Sequence, residues 1–251
     1  LQVGFDTIDF GSFVSAKAIP QMQDTAAVLK KLDLSNTRSK LLAIVANYRG
    51  AEEAVQHEEI TYLGYPFSIS ETFQLRNANA TINAAFDTVK KIKALCAGKQ
   101  KELLVYLSMG FGNPYGDEWS VDIVHQWTGK LINEGIQIIA LADTIGVATA
   151  DQIKALYPFL CKEFSDTEFG IHLHSTPHTW YEKAEAAYLS GCKRFDSALK
   201  GYGGCPMAKD ELTGNIATEK LIDYLQSQNS LAGLNMEKFQ EAMDYSSRIF
   251  R

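Results

Sequence analysis

His172 and His174 stand two residues apart in the stretch Phe-Gly-Ile-His-Leu-His. Side chains on a strand alternate faces, so Ile171 and Leu173 point one way and the two imidazoles the other. Two imidazoles on one face can meet one divalent cation. Equally, each can be a core histidine satisfied by its own hydrogen bond. The flanking sequence favours a site, with Asp143-Thr144-Ile-Gly before the pair and Gly203-Gly204-Cys205-Pro206 after it. Neutral histidines joined by Asn and Asp oxygens suit Mg²⁺ or Mn²⁺ better than a structural zinc. An octahedral ion with open positions can hold a hydroxyl and a carbonyl of one substrate, acidify the hydroxyl and stabilise an enolate. That chemistry makes or breaks a carbon–carbon bond next to a carbonyl. Cys205 follows two glycines and precedes a proline that restricts its backbone, which is the setting of a thiol carried on a mobile loop as proton donor or base. The alternative is a loop whose glycines serve only the turn.

Residues of this kind need a scaffold that gathers them. Apolar strand patterns are expected over 3–10 (ending near Asp9), 40–46, 60–65, 103–108, 136–142, 169–174 and 193–197. Helical patterns are expected over 25–32, 51–56, 81–95, 121–132, 150–163, 180–189, 218–226 and 236–249, the last with Phe239, Met243 and Ile249 on one side; 67–79 is read as a polar loop. Strict strand–helix alternation implies a parallel sheet. The Gly-rich phosphate turn of a doubly wound sheet is missing after the first strand. The pattern fits an α/β fold of the (β/α)₈ TIM-barrel type, one domain over 1–251, with its first βα unit lying upstream of Leu1. Polar residues then collect at the C-terminal ends of the strands, where barrel active sites sit: Asp9, Asn47, Ser70, Asn113, Asp143, Thr144, His174 and Ser197. For Asp143 the structural alternative is a cap on the following loop, and for Asn113-Pro114 an ordinary turn.

Bulk properties narrow the function class. The chain of 251 residues carries a net charge of −6 and no Lys/Arg run, which argues against a nucleic-acid surface. No apolar run approaches the ~20 residues that span a bilayer. Cys96, Cys161, Cys192 and Cys205 are widely spaced, as expected of reduced thiols in a reducing compartment, so a cytoplasmic location is expected. An absent N-terminus leaves room for a mitochondrial presequence.

The segments Ser12-Phe-Val-Ser15, Pro20-Gln-Met22, Asp143-Thr-Ile-Gly146, His172-Leu-His174, Gly203-Gly-Cys-Pro206 and Gly214-Asn215-Ile-Ala-Thr-Glu219 resemble the 3-hydroxy-3-methylglutaryl-CoA lyase family, within the metal-dependent TIM-barrel lyases and synthases. The cysteine loop discriminates most, because related synthases carry a Gly-x-Gly-Glu-Arg type loop there. The resemblance implies that His172, His174 and Asn215 ligate Mg²⁺ or Mn²⁺ and that Cys205 is the mobile catalytic thiol. It implies proton transfer by His172, support from Asp9, and an acyl pocket lined by Asp143, Thr144 and Ser12. The implied substrate is an acyl-CoA, cleaved by a retro-Claisen reaction, and a homodimer is expected. The chain departs from the family in four places. The strand-one Arg-Asp pair has no match and is expected upstream of Leu1. Ser175-Thr176-Pro177-His178 replaces Asp-Thr-Tyr-Gly, Asn113 stands where many relatives have cysteine, and the stretch from Cys205 to Asn215 is about one residue longer. A related aldolase or Claisen-type synthase, and a non-catalytic barrel, are the competing readings.

Overall fold

The structure is a computed structural model that describes residues 1–17, 19–204 and 213–250. Six strands, β1 (Thr7–Phe13), β2 (Lys40–Val45), β3 (Ile60–Ser68), β4 (Glu102–Ser108), β5 (Ile138–Asp143) and β6 (Glu168–Ser175), pair in parallel, and their spatial order is their chain order. Helices α1 (Thr25–Leu29), α2 (Tyr48–Ala54), α3 (Glu71–Ala78), α4 (Ile82–Ala97), α5 (Val121–Asn133), α6 (Ala150–Glu163), α7 (Trp180–Leu189), α8 (Thr218–Ser227) and α9 (Met236–Ile249) fill the connections and the C-terminal end. A two-residue strand, β7 (Gly214–Asn215), joins β6 antiparallel, which makes seven strands in a half-barrel sheet.

The sheet is apolar on both faces because helices pack on one and side chains from neighbouring strands fill the other. Leu41, Ala43, Leu63, Val105, Leu107, Ile139, Leu141, Ile171 and Leu173 belong to the large core under the helices. Leu42, Tyr62, Leu104, Ile138 and Ala140 form a separate cluster on the opposite face, with Ile44 and Tyr106 against it. Gly64 keeps that second layer closed, since a Cβ there would meet Ile44 Cδ1 at 2.7 Å and Tyr106 Cε2 at 3.0 Å.

The expected pattern needs five corrections. The first strand begins later and runs on to Phe13, with a register shift between Asp9 and Gly11, so Asp9 is inside the strand beside a bulge. The seventh expected strand, 193–197, survives only as a parallel bridge between Phe195 and Ile171. Closure into eight strands is not seen among the described residues, where β1 is one edge of the sheet and β7 the other. The polar stretch 67–79 contains helix α3, because Ser70 accepts from Phe73 N as N-cap and Glu71 suits the first turn. On α9, Phe239 is buried whereas Ile249 is 61% exposed.

Candidate active site

β6 delivers the two histidines to the face opposite the helices, with ring centroids 5.2 Å apart. Ile171 and Leu173 are buried on the other side. His174 is buried, and its Nδ1 lies 2.8 Å from the Thr144 carbonyl oxygen. Burial and then the neighbouring His172 push its pKa down to about 4, so the ring is neutral at pH 7. A carbonyl oxygen can only accept, so the single ring proton sits on Nδ1 and Nε2 keeps its lone pair. His172 Nδ1 is 3.2 Å from Asp196 Oδ2, and its ring packs edge-on against Tyr106 with centroids 5.5 Å apart. Asn215 pairs with His174 across β6 and β7, and its Nδ2 donates to the Tyr202 carbonyl at 2.8 Å. That bond fixes the orientation of the amide, and among the described residues no donor reaches Oδ1.

All three candidate ligands therefore have one polar atom tied to the protein and, among the described residues, one without a partner. Second partners that orient a ligand in this way are what metal sites require. Among the described residues no group of three His, Cys, Asp or Glu side chains is gathered to hold a metal. The donor set here instead combines two imidazoles with an amide oxygen, which suits an oxygen-loving divalent ion with open positions.

A cavity of about 950 Å³ opens beside this set, lined by Asp9, Tyr106, His172, Asp196 and Asn215 among others. Asp9 reaches solvent within it, yet the protein around its carboxyl removes enough hydration to push its pKa up to about 7. The Gly11 backbone N–H and His172 oppose that rise, and Asp196 adds to it. Asp9 and Ser12 also line a smaller cavity of about 320 Å³ with Ile19 and Met22.

Several expected site residues turn out to organise the scaffold. Asn47 accepts from Gly50 N at 2.9 Å and caps α2. Ser70 caps α3 and donates to Asp117. Asn113 accepts from Tyr115 N and Asp117 N and folds the 113–117 turn. Asn47 and Ser70 follow strands because the residue that ends a βα loop is the N-cap of the next helix. Asp143 does not line the cavity as an acyl-pocket residue. It is 1% exposed, and its oxygens accept from Val147 N at 2.8 Å, Ala148 N at 3.1 Å and Lys183 Nζ at 2.8 Å. Thr144 is engaged as well, its Oγ1 accepting from Met109 N at 2.8 Å. Cys205 lies outside the described residues.

Sequence reading missed Asp196, Tyr106, Lys183 and Arg194. Asp196 had a signal, since 193–197 alternates and the strand-like bridge at Phe195 puts Arg194 and Asp196 on the histidine side. Arg194 pairs with Glu168 at 2.9 Å and occupies the space that Gly170 leaves open.

Comparison with known proteins gives the family and the fold. The HMGL-like family matches residues 2–245. The mitochondrial hydroxymethylglutaryl-CoA lyase of Mus musculus is 32% identical over 246 residues, covering 97% of this chain and 74% of its own. The crystal structure of the HMG-CoA lyase of Bacillus subtilis superposes with a TM-score of 0.91 at 28% identity, over 98% of this chain and 82% of that one. An HMG-CoA lyase from Acinetobacter baumannii, solved with coenzyme A and 3-methylmalate, gives a TM-score of 0.85 at 30% identity, over 94% and 76% of the two chains. With its histidine strand, its parallel sheet and a match along nearly its whole length, the chain belongs to the HMGL-like family.

Proposed function

We infer that this protein is a lyase that cleaves 3-hydroxy-3-methylglutaryl-CoA to acetyl-CoA and acetoacetate. The observation that carries the reading is the donor set. His172 and His174 lie side by side on β6 and Asn215 pairs with His174 from β7, each with one polar atom already engaged, in a chain similar along its length to hydroxymethylglutaryl-CoA lyases. The sheet is read as the wall of a (β/α)₈ barrel in one domain, and the two histidines and the amide as ligands of Mg²⁺ or Mn²⁺. A bound divalent ion supplies Lewis acidity, lowering the pKa of the substrate's tertiary hydroxyl and offsetting negative charge as it develops.

The chain's own residues supply the rest. Asp9 is positioned as proton acceptor, directly or by way of His172, because a carboxyl held near 7 can take a proton at neutral pH. When the hydroxyl gives up its proton, the C2–C3 bond breaks. Its electron pair passes into the thioester enolate, and the hydroxyl-bearing carbon becomes the ketone of acetoacetate. Cys205 is read as the donor that protonates the enolate carbon. Ser12 and Thr144 are read as acyl-pocket residues, Thr144 through the loop it holds, whereas Asp143 is read as structural. The coenzyme A bound in the Acinetobacter baumannii relative supports an acyl-CoA substrate.

The test is product stoichiometry. Incubation with 3-hydroxy-3-methylglutaryl-CoA and Mn²⁺ should release acetyl-CoA and acetoacetate one to one. A protein that leaves this thioester intact but cleaves another hydroxyacyl-CoA would be a related aldolase instead.

A further inference from the structure

Lys183 is 2% exposed on α7, yet it carries an ammonium group. A buried charge of this kind survives only if every donor finds a partner. All three do: Nζ donates to Asp143 Oδ2 at 2.8 Å, to the Gly146 carbonyl at 2.9 Å and to the His174 carbonyl at 2.8 Å. These acceptors belong to the end of β5, the loop behind it, and the histidine strand. The loop is held tightly as well. Gly146 has φ +74°, and a Cβ there would come 2.7 Å from Thr213 Cγ2.

Thr144 sits between two of the acceptors, Asp143 and Gly146. Its carbonyl fixes the His174 ring, and its hydroxyl accepts from the backbone of Met109, which has φ +59°. We propose that Lys183 is a positioning residue for His174. It holds the histidine's own carbonyl and, through the 143–146 segment, the carbonyl that keeps the ring proton on Nδ1. Without that acceptor a neutral imidazole reverts to the Nε2–H form that predominates in water, and Nε2 can no longer donate to a metal. The proposal rests on the metal reading above for its consequence, but not for its structural claim.

The experiment reads the His174 tautomer by ¹⁵N NMR in metal-free protein, and Mn²⁺ affinity separately. Lys183→Met leaves the Asp143 carboxylate buried and unpaired and is at risk of not folding. The double variant Asp143→Asn/Lys183→Met removes both charges and is the decisive one. In the unaltered protein His174 should be Nδ1-protonated. In the folded double variant the Nε2–H form should predominate, with Mn²⁺ affinity at least ~10-fold weaker, the scale on which orienting partners act. A folded double variant that keeps Nδ1–H would overturn the proposal, as would Nε2–H in the unaltered protein. If the unaltered protein binds no Mn²⁺ at all, the metal reading fails, while the tautomer comparison still decides the role of Lys183.

Discussion

The Asp196 carboxylate stands 3.2 Å from Nδ1 of His172, on a segment 24 residues further along the chain. The pair fixes which imidazole nitrogen faces the cavity. Asp196→Asn keeps the shape but removes the charge that supports the ring, so Mn²⁺ affinity and turnover should fall together, by about 10- to 100-fold. Calorimetric titration beside steady-state kinetics checks this. A variant with unchanged affinity and activity would remove Asp196 from the site.

The second layer of the sheet should be intolerant of added volume. Gly64→Ala places a methyl 2.7 Å from Ile44 Cδ1 and 3.0 Å from the Tyr106 ring, which packs on His172. Overpacking of this kind costs about 1–3 kcal/mol. Denaturant unfolding should show that loss, and activity should fall with it because Tyr106 must shift.

How far the sequence could be read depended on whether each partner was local. The histidine pair follows from a two-residue period within one strand, the boundaries of α6 and α9 follow from local patterns and caps, and those of α7 from its pattern alone. Helix α3 was hidden by its polarity although its Ser70 cap was in view. Asp143 looked like a site residue because it ends a strand beside Thr144, and nothing near it in sequence names Lys183, which lies 40 residues on. Asp196 was overlooked for the same reason, since its partner is set by which strands become neighbours.

Away from the site, Thr149 and Gln152 form a reciprocal capping box at the start of α6, with Gln152 N to Thr149 Oγ1 at 3.2 Å and Thr149 N to Gln152 Oε1 at 3.0 Å. Thr149→Ala should cost about 1 kcal/mol and lower Tm by about 2–4 °C in a chain of this size. Differential scanning calorimetry measures the shift, and kcat should be unchanged.

Two buried thiols give a pH dependence of known sign. Burial pushes Cys96 up to about 11 and Cys192 up to about 12. Their neutral forms are favoured in the folded state, so this contribution to stability is complete below the ordinary thiol pKa. It is lost as pH rises from about 9 through 11–12. Alkylation by iodoacetamide at pH 8, followed by mass spectrometry, should leave both thiols unmodified in the folded protein and modify both after unfolding. Rapid labelling of either thiol in the native state would contradict their burial.

The most direct test of the central claim is metal-dependent turnover. Protein stripped by a chelator should not cleave 3-hydroxy-3-methylglutaryl-CoA until Mn²⁺ or Mg²⁺ is restored. His174→Ala should remain folded yet lose Mn²⁺ binding and at least ~100-fold in kcat/KM. Full activity in the stripped protein, or a His174→Ala variant that binds Mn²⁺ and turns over normally, would contradict the assignment of this histidine pair as the reactive centre.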